Sequence, residues 1–163
     1  MPKIFLSIGS NIEREKNIAS AIKTLEKRFG PLTLSSLYDT AAVGFDGAPF
    51  FNMVVVFESE SPVSEIVRIL KEIETEHGRQ RISEKFTARA LDLDLILYGD
   101  QVLEEDGLRL PRDEIIHYAF MLEPLAEVAP ELRHPVTNER YADLWERFDK
   151  TGLRQKRVLP PWS

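Results

Sequence analysis

Leu91-Asp92-Leu93-Asp94-Leu95-Ile96-Leu97 constrains the chain more than any other segment. Its alternation has period two, the signature of a half-buried strand. Successive side chains of a strand point to opposite faces. Leu91, Leu93, Leu95 and Leu97 are therefore expected on one face, and Asp92, Asp94 and Ile96 on the other. Four leucines turn the first face inward. The two carboxylates are then forced side by side, their Cα atoms roughly 6–7 Å apart. Like charges that close resist ionisation unless a cation sits between them. Hard oxygen ligands suit magnesium, which takes one or two carboxylates and completes its shell with water and substrate phosphates. The same pattern also fits a strand whose outer face is simply wet and acidic, although aspartate is a poor strand former.

The residues just before this strand bear on the choice. Between Arg79 and Arg89 the bases Arg79, Arg81, Lys85 and Arg89 face the single acid Glu84, a local net charge of +3 in a chain whose net charge is −6. Guanidinium forks match phosphate oxygens, and magnesium bridges such oxygens while a phosphoryl group transfers. The cluster reads either as a solvated loop or as a holder of an anionic ligand. Beside an Asp-x-Asp strand, the second reading points to transfer from a polyphosphate. The acidic overall balance argues against a general nucleic-acid binder.

The rest of the chain reads as one domain over residues 1–163, with a C-terminal tail from about residue 133 packed on it. Lys3 to Ile8 is a first strand, ending at Gly9-Ser10-Asn11, and not a signal peptide. Ile18, Ala21, Ile22, Leu25 and Phe29 fall on one helical face, stopped by Gly30-Pro31. Leu32 to Thr40 and Phe51 to Glu58 read as strands. Ser61-Pro62 starts a second helix, serine as cap and proline in its first turn. Its apolar face is Val63, Ile66, Val67, Leu70 and Ile73, and Gly78 closes it. Ala90 to Tyr98 is the most hydrophobic strand. Phe120 to Val128 and Arg140 to Phe148 are short helices. The order β-α-β-β-α-β plus a tail predicts an α+β domain, its helices packed on a mainly antiparallel sheet. No stretch approaches the ~20 apolar residues that cross a bilayer. Without cysteine there is no disulfide and no thiolate site, and a cytoplasmic location fits.

Several chemistries are excluded. There is no Walker loop, no Gly-x-Gly-x-x-Gly, no His-Glu-x-x-His and no Gly-x-Ser-x-Gly elbow. His77, His117 and His134 are too scattered for a zinc cage. Phe50 and Phe51 point to opposite faces if extended, so one is free to face a ligand while the other is core. Asn52, on the side of Phe50, adds an amide. An aromatic face beside an amide suits a flat heterocycle, although for such aromatics taken alone core packing is the better explanation.

In order, these pieces resemble the 6-hydroxymethyl-7,8-dihydropterin pyrophosphokinase family of folate biosynthesis. The matching residues are Gly9-Ser10-Asn11, Ser36-Leu37-Tyr38-Asp39-Thr40, Phe51-Asn52, and Glu74 through Gly78-Arg79-x-Arg81. They continue with Arg89-Ala90-Leu91-Asp92-Leu93-Asp94, then Phe120-Met121-Leu122-Glu123-Pro124-Leu125, and end at Ala129-Pro130-Glu131-Leu132. The resemblance implies a ferredoxin-like α+β sandwich and transfer of pyrophosphate from ATP to the pterin hydroxymethyl group, leaving AMP. By the same likeness Asp92 and Asp94 hold two magnesium ions, and Arg81 and Arg89 bind the polyphosphate and stabilise charge in transfer. Glu74, Arg79 and Arg112 complete the nucleotide side. Phe50 and Phe120 sandwich the pterin ring, Asn52 and the backbone from Thr40 to Val43 read its edge, and Phe86 closes over it from the 79–89 loop. That loop is expected to be mobile when free and ordered as a lid in the ternary complex. The implied partners are the small-molecule substrates alone, with no nucleic acid or membrane, and a monomer or weak homodimer.

The chain also departs from the family pattern. Ala41, Ala42 and Ala88 stand where prolines are usual, Arg112 replaces a histidine, Tyr118 an arginine, and Gly107 a frequent arginine. All three of the latter fall on the ATP side. Arg112 is able to serve as a phosphate ligand; Tyr118 supplies no charge. Two alternatives therefore stand beside the main reading. One is a paralogue with the same chemistry on another pterin or donor, the other a catalytically silent pterin-binding protein.

Overall fold

The first strand is the axis of the molecule because it is apolar on both sides. In β1 (Lys3–Ser10) every residue after Lys3 is buried. It lies between β4 (Phe50–Glu58) and β5 (Asp92–Tyr98), antiparallel to both. The computed structural model describes residues 1–42, 47–78 and 90–161. The expectations for Val43, Arg79, Arg81, Phe86 and Arg89, and for a lid over 79–89, lie outside these residues.

The full sheet runs β5-β1-β4-β3-β8, with β3 at Leu37–Thr40 and β8 at Gln155–Val158. Each neighbouring pair is antiparallel. A short β2 (Thr33–Leu34) also pairs with β4, opposite Val55 and Val56. One face is covered by α1 (Arg14–Phe29) and α2 (Val63–Glu76). Their Ile18, Ala21, Leu25, Ile66, Leu70 and Ile73 pack on Ile4, Leu6, Ile8, Met53 and Val55 of the sheet. The opposite face is covered by α3 (Glu114–His117), α4 (Ala119–Val128) and α5 (Tyr141–Arg147), over Phe5, Val54, Ile96 and Leu97. An α+β architecture with helices on an antiparallel sheet therefore holds. Among the described residues, no helix is long and apolar enough to cross a membrane.

Four local expectations need correction. The stretch from Leu32 to Thr40 is two strands, because Ser35 and Ser36 divert the backbone. Ser35 exchanges bonds with Val54, its N–H donating to the Val54 carbonyl and its Oγ accepting from the Val54 N–H, both at 2.9 Å. The N–H and hydroxyl of Ser36 donate to the Glu127 carboxylate instead of a strand. Such side-chain bonding competes with a ladder. Pro62, and not Ser61, is the N-cap of α2: its ψ of 155° is extended, and its carbonyl accepts from Glu65 and Ile66. In β5 the register slips between Phe5 and Leu6, so that Leu95 pairs with Leu6 and Leu97 with Phe5. This bulge at Ile96 reverses the alternation. Leu91, Leu93 and Leu95 face the α1–α2 core, whereas Leu97 joins Ile96 in the opposite one and Tyr98 takes the first face. Lastly, the chain between Tyr98 and Phe120 and after Phe148, where the sequence pattern marks no element, carries strands. It forms a hairpin, β6 (Leu103–Glu105) with β7 (Leu108–Leu110), and later β8.

Candidate functional site

The face under α4 is apolar at one end and polar at the other. Antiparallel register sets directly opposed residues on the same face. Gly9 of β1 pairs with Asp92 on one side and Asn52 on the other, and Asn52 in turn pairs with Tyr38. Asp94 pairs with Ser7 one step along. Asp92, Asp94 and Asn52 thus form a polar row next to the apolar ground of Phe5, Val54 and Ile96. Strands ≈ 4.8 Å apart put Asp92 and Asn52 roughly 10 Å from each other, with Gly9 between them.

Gly9 is small for a steric reason. A Cβ there would lie 2.7 Å from Asn52 Oδ1 and 3.7 Å from a Phe50 ring carbon. Asn52 is buried, and its Nδ2 donates to Thr40 Oγ1 at 2.6 Å. Phe51 belongs to the α1–α2 core, with the Arg14 guanidinium 3.7 Å from its ring centroid. Phe50 is only half-buried and lies beside Gly9 and Asn52. Phe120, also half-buried, starts α4 on the same side of the sheet. The structure therefore brings together Asp92, Asp94, Asn52, Thr40, Phe50 and Phe120 on one face.

Asp92 and Asp94 are half-buried. Among the described residues no group of three or more histidine, cysteine or acidic side chains converges on a metal position. A two-carboxylate set is nevertheless what magnesium uses when water and phosphate supply its remaining ligands. The donor chemistry fits that ion and does not fit zinc, which wants nitrogen or sulfur.

Glu74 reaches this strand from the other face. It is buried, and Oε2 accepts the Leu93 N–H at 2.8 Å. Among the described residues β5 is the edge of the sheet, and Glu74 occupies a backbone donor that no further strand of those residues takes up. It thereby holds the peptide between the two aspartates. Arg112 approaches from beyond β7: its backbone N–H donates to the Ile96 carbonyl, and its guanidinium pairs with Glu114 at 2.6 Å. Burial disfavours the Arg112 cation, but the Glu114 hydrogen bond and the nearby Asp94 charge outweigh it and raise its pKa. Tyr118 stacks on Phe120 with ring centroids 5.2 Å apart. The residue that replaces an arginine thus extends the aromatic surface.

Two hydrogen-bonded supports of this face were not legible in the sequence. Glu127 of α4 accepts from Ser36 N–H, Ser36 Oγ and, at 2.7 Å, Tyr38 Oη. Burial pushes the Glu127 carboxyl up, but the Ser36 and Tyr38 hydrogen bonds overcome this and its pKa is lowered. Burial and the same carboxylate push the Tyr38 phenol up. The second support is Gln155, whose Nε2 donates to the Ala119 carbonyl at 3.0 Å and to Glu123 Oε1 at 2.8 Å. No local pattern marks either residue, because their partners are 89 to 91 and 32 to 36 positions away.

Known proteins resemble this chain over most of its length. The family model for 7,8-dihydro-6-hydroxymethylpterin-pyrophosphokinase (HPPK) matches residues 5–130. The 2-amino-4-hydroxy-6-hydroxymethyldihydropteridine pyrophosphokinase of Aquifex aeolicus is 30% identical over 138 residues, covering 83% of this chain and 86% of its own length. The folic acid synthesis protein fol1 of Pneumocystis carinii is 31% identical over 160 residues, 96% of this chain but 21% of that protein. The chain thus spans about a fifth of this fungal relative's length. In fold it is similar to the wild-type HPPK-DHPS of Plasmodium falciparum, with a TM-score of 0.72 and 16% identity over 96% of this chain and 44% of that one. The chain belongs to the 7,8-dihydro-6-hydroxymethylpterin-pyrophosphokinase family.

Proposed function

We propose that this protein transfers the terminal pyrophosphate of ATP to the hydroxymethyl group of 6-hydroxymethyl-7,8-dihydropterin, giving AMP and the pterin diphosphate for folate biosynthesis. The observation that carries the reading is the row Asp92–Gly9–Asn52, with Thr40, Phe50 and Phe120 on the same face. The hydroxymethyl oxygen attacks the β-phosphorus, the bond from that phosphorus to the α-phosphate oxygen breaks, and the hydroxyl proton is released. Asp92 and Asp94 would hold magnesium, as two ions by family likeness. Magnesium held there would supply charge neutralisation to the polyphosphate during transfer.

The remaining work falls to the chain itself. Asn52 Nδ2 is committed to Thr40, which leaves Oδ1 to accept from the donor edge of the pterin. Phe50 and Phe120 orient the ring by stacking. Glu74 keeps the Asp92–Asp94 peptide in place, and Arg112 adds positive charge beside Asp94. Arg79, Arg81 and Arg89 bind the polyphosphate, and Phe86 helps exclude water, which would compete as acceptor. Val43 completes the backbone edge of the pterin site.

The sheet order β5-β1-β4-β3, with α1 and α2 on one face, supports a ferredoxin-like classification of a single domain over 1–163. A net charge of −6 is consistent with small-molecule partners and no nucleic acid, and the cytoplasmic location and the monomer or weak homodimer belong to this same proposal. The test is AMP release from ATP with magnesium and the reduced hydroxymethylpterin. Stoichiometric AMP and pterin diphosphate are expected. AMP formation that does not depend on the pterin, or none at all, overturns the proposal.

A further inference from the structure

We infer that Gln155, on the C-terminal strand β8, is a positioning residue for pterin recognition. Residue 155 lies beyond the stretch 5–130 that the family model matches. The inference rests on the proposed pterin site.

Gln155 stands opposite Thr40 in the β3–β8 pair and therefore on the same face as the site. One residue earlier, the Arg154 carbonyl accepts the Ala41 N–H at 3.1 Å. The strand so fixes the end of β3 from which Thr40 bonds Asn52. The side chain of Gln155 reaches across to α4. Its two amide hydrogens have two acceptors, the Ala119 carbonyl at 3.0 Å and Glu123 Oε1 at 2.8 Å. These acceptors bracket Phe120, one on the residue before it and the other one turn on.

That turn needs an external clamp. Pro124 lies inside α4 and donates no N–H, so the Phe120 carbonyl lacks its helical partner. The cap of α4 makes no side-chain hydrogen bond. Gln155 thus joins the two walls of the site, Thr40–Asn52 on the sheet and Phe120 on the helix, through one strand and one amide. Its position sets the spacing between Phe120 and the sheet. The ATP side, on β5 at the other edge, is beyond its reach.

The test compares parent enzyme, Gln155→Leu and Gln155→Glu by steady-state kinetics in both substrates. Leucine removes both bonds; glutamate sets a third oxygen acceptor against the Ala119 carbonyl and the Glu123 carboxylate. The pterin KM should rise about 5–10-fold, the scale of one to two such bonds, while the ATP KM stays within about twofold. An active parent whose variants keep the parental pterin KM overturns the inference, as does an equal rise in both KM values. A parent without pyrophosphate transfer instead overturns the function, which separates the two failures. If the variants do not fold, the unmodified protein decides. The side-chain amide resonances of Gln155 should shift on titration with the pterin and not with an ATP analogue, and resonances unmoved by the pterin overturn the inference.

Discussion

Gly9→Ala is the smallest change that tests the geometry of the site. The backbone itself admits alanine, since Gly9 is not among the residues with positive φ. The obstacle is the 2.7 Å gap to Asn52 Oδ1, where ordinary contact begins at 3.4 Å. Oδ1 must therefore retreat by about 0.7 Å. The amide is planar, so turning it to move Oδ1 also drags Nδ2 from its 2.6 Å bond to Thr40. Weakening a buried bond of this kind costs about 1–3 kcal/mol. Replacing glycine by alanine where φ and ψ allow it returns about 0.4–1 kcal/mol through the unfolded chain. The net loss is on the order of 1 kcal/mol, or about 2–4 °C in Tm for a domain of this size. The larger effect should appear in pterin affinity, since the displaced oxygen is the acceptor left for the ring edge. A loss of about tenfold is expected, with ATP affinity nearly unchanged. Calorimetric titration of each ligand, with a thermal melt as control, measures all three quantities. A folded variant that binds pterin as the parent does would refute the placement of Asn52 in the pterin site.

Asp92→Ala or Asp94→Ala should leave the melt close to the parent, because neither side chain belongs to a core cluster, and should lower turnover by at least ~100-fold. Turnover within a few-fold of the parent in either folded variant contradicts the metal assignment. Phe120→Ala should weaken the pterin and spare ATP, by about 0.5–1.5 kcal/mol beyond lost area; equal loss for both ligands would mark Phe120 as core alone. Acid should destabilise the fold through Glu127. Its folded pKa is lowered below the ordinary 4.5, so its contribution is complete above that value and is lost as pH falls below it. Denaturant melts from pH 6 to pH 3 should show this slope in the parent and a shallower one in Glu127→Gln. His134 adds a second acid-side loss. Burial holds its pKa below the ordinary 6.5, so stability falls as pH drops from about 6.5 toward the folded value, and His134→Gln should flatten that limb.

Local periodicity in the sequence determined the strands that carry the site and the helix faces that cover them. The alternation through Asp94 places Leu91, Leu93 and Leu95 inward and both aspartates on the other face, and the structure agrees. Phe51 is core and Phe50 is not, as opposite-facing neighbours require. The same local rule failed at Leu97, because a bulge is a property of two strands and depends on how β5 meets β1. It failed again at Ser35 and Ser36, whose backbone and hydroxyl groups answer to Val54 and Glu127. Only the tertiary structure decided that Gly9 stands between Asp92 and Asn52, that Glu74 holds the Leu93 amide, and that β8 returns to β3 with Gln155 against α4. The physical reason is one of range. Side-chain period is written into consecutive residues, whereas register, edge capping and strand adjacency come from contacts between segments whose separation the period does not record.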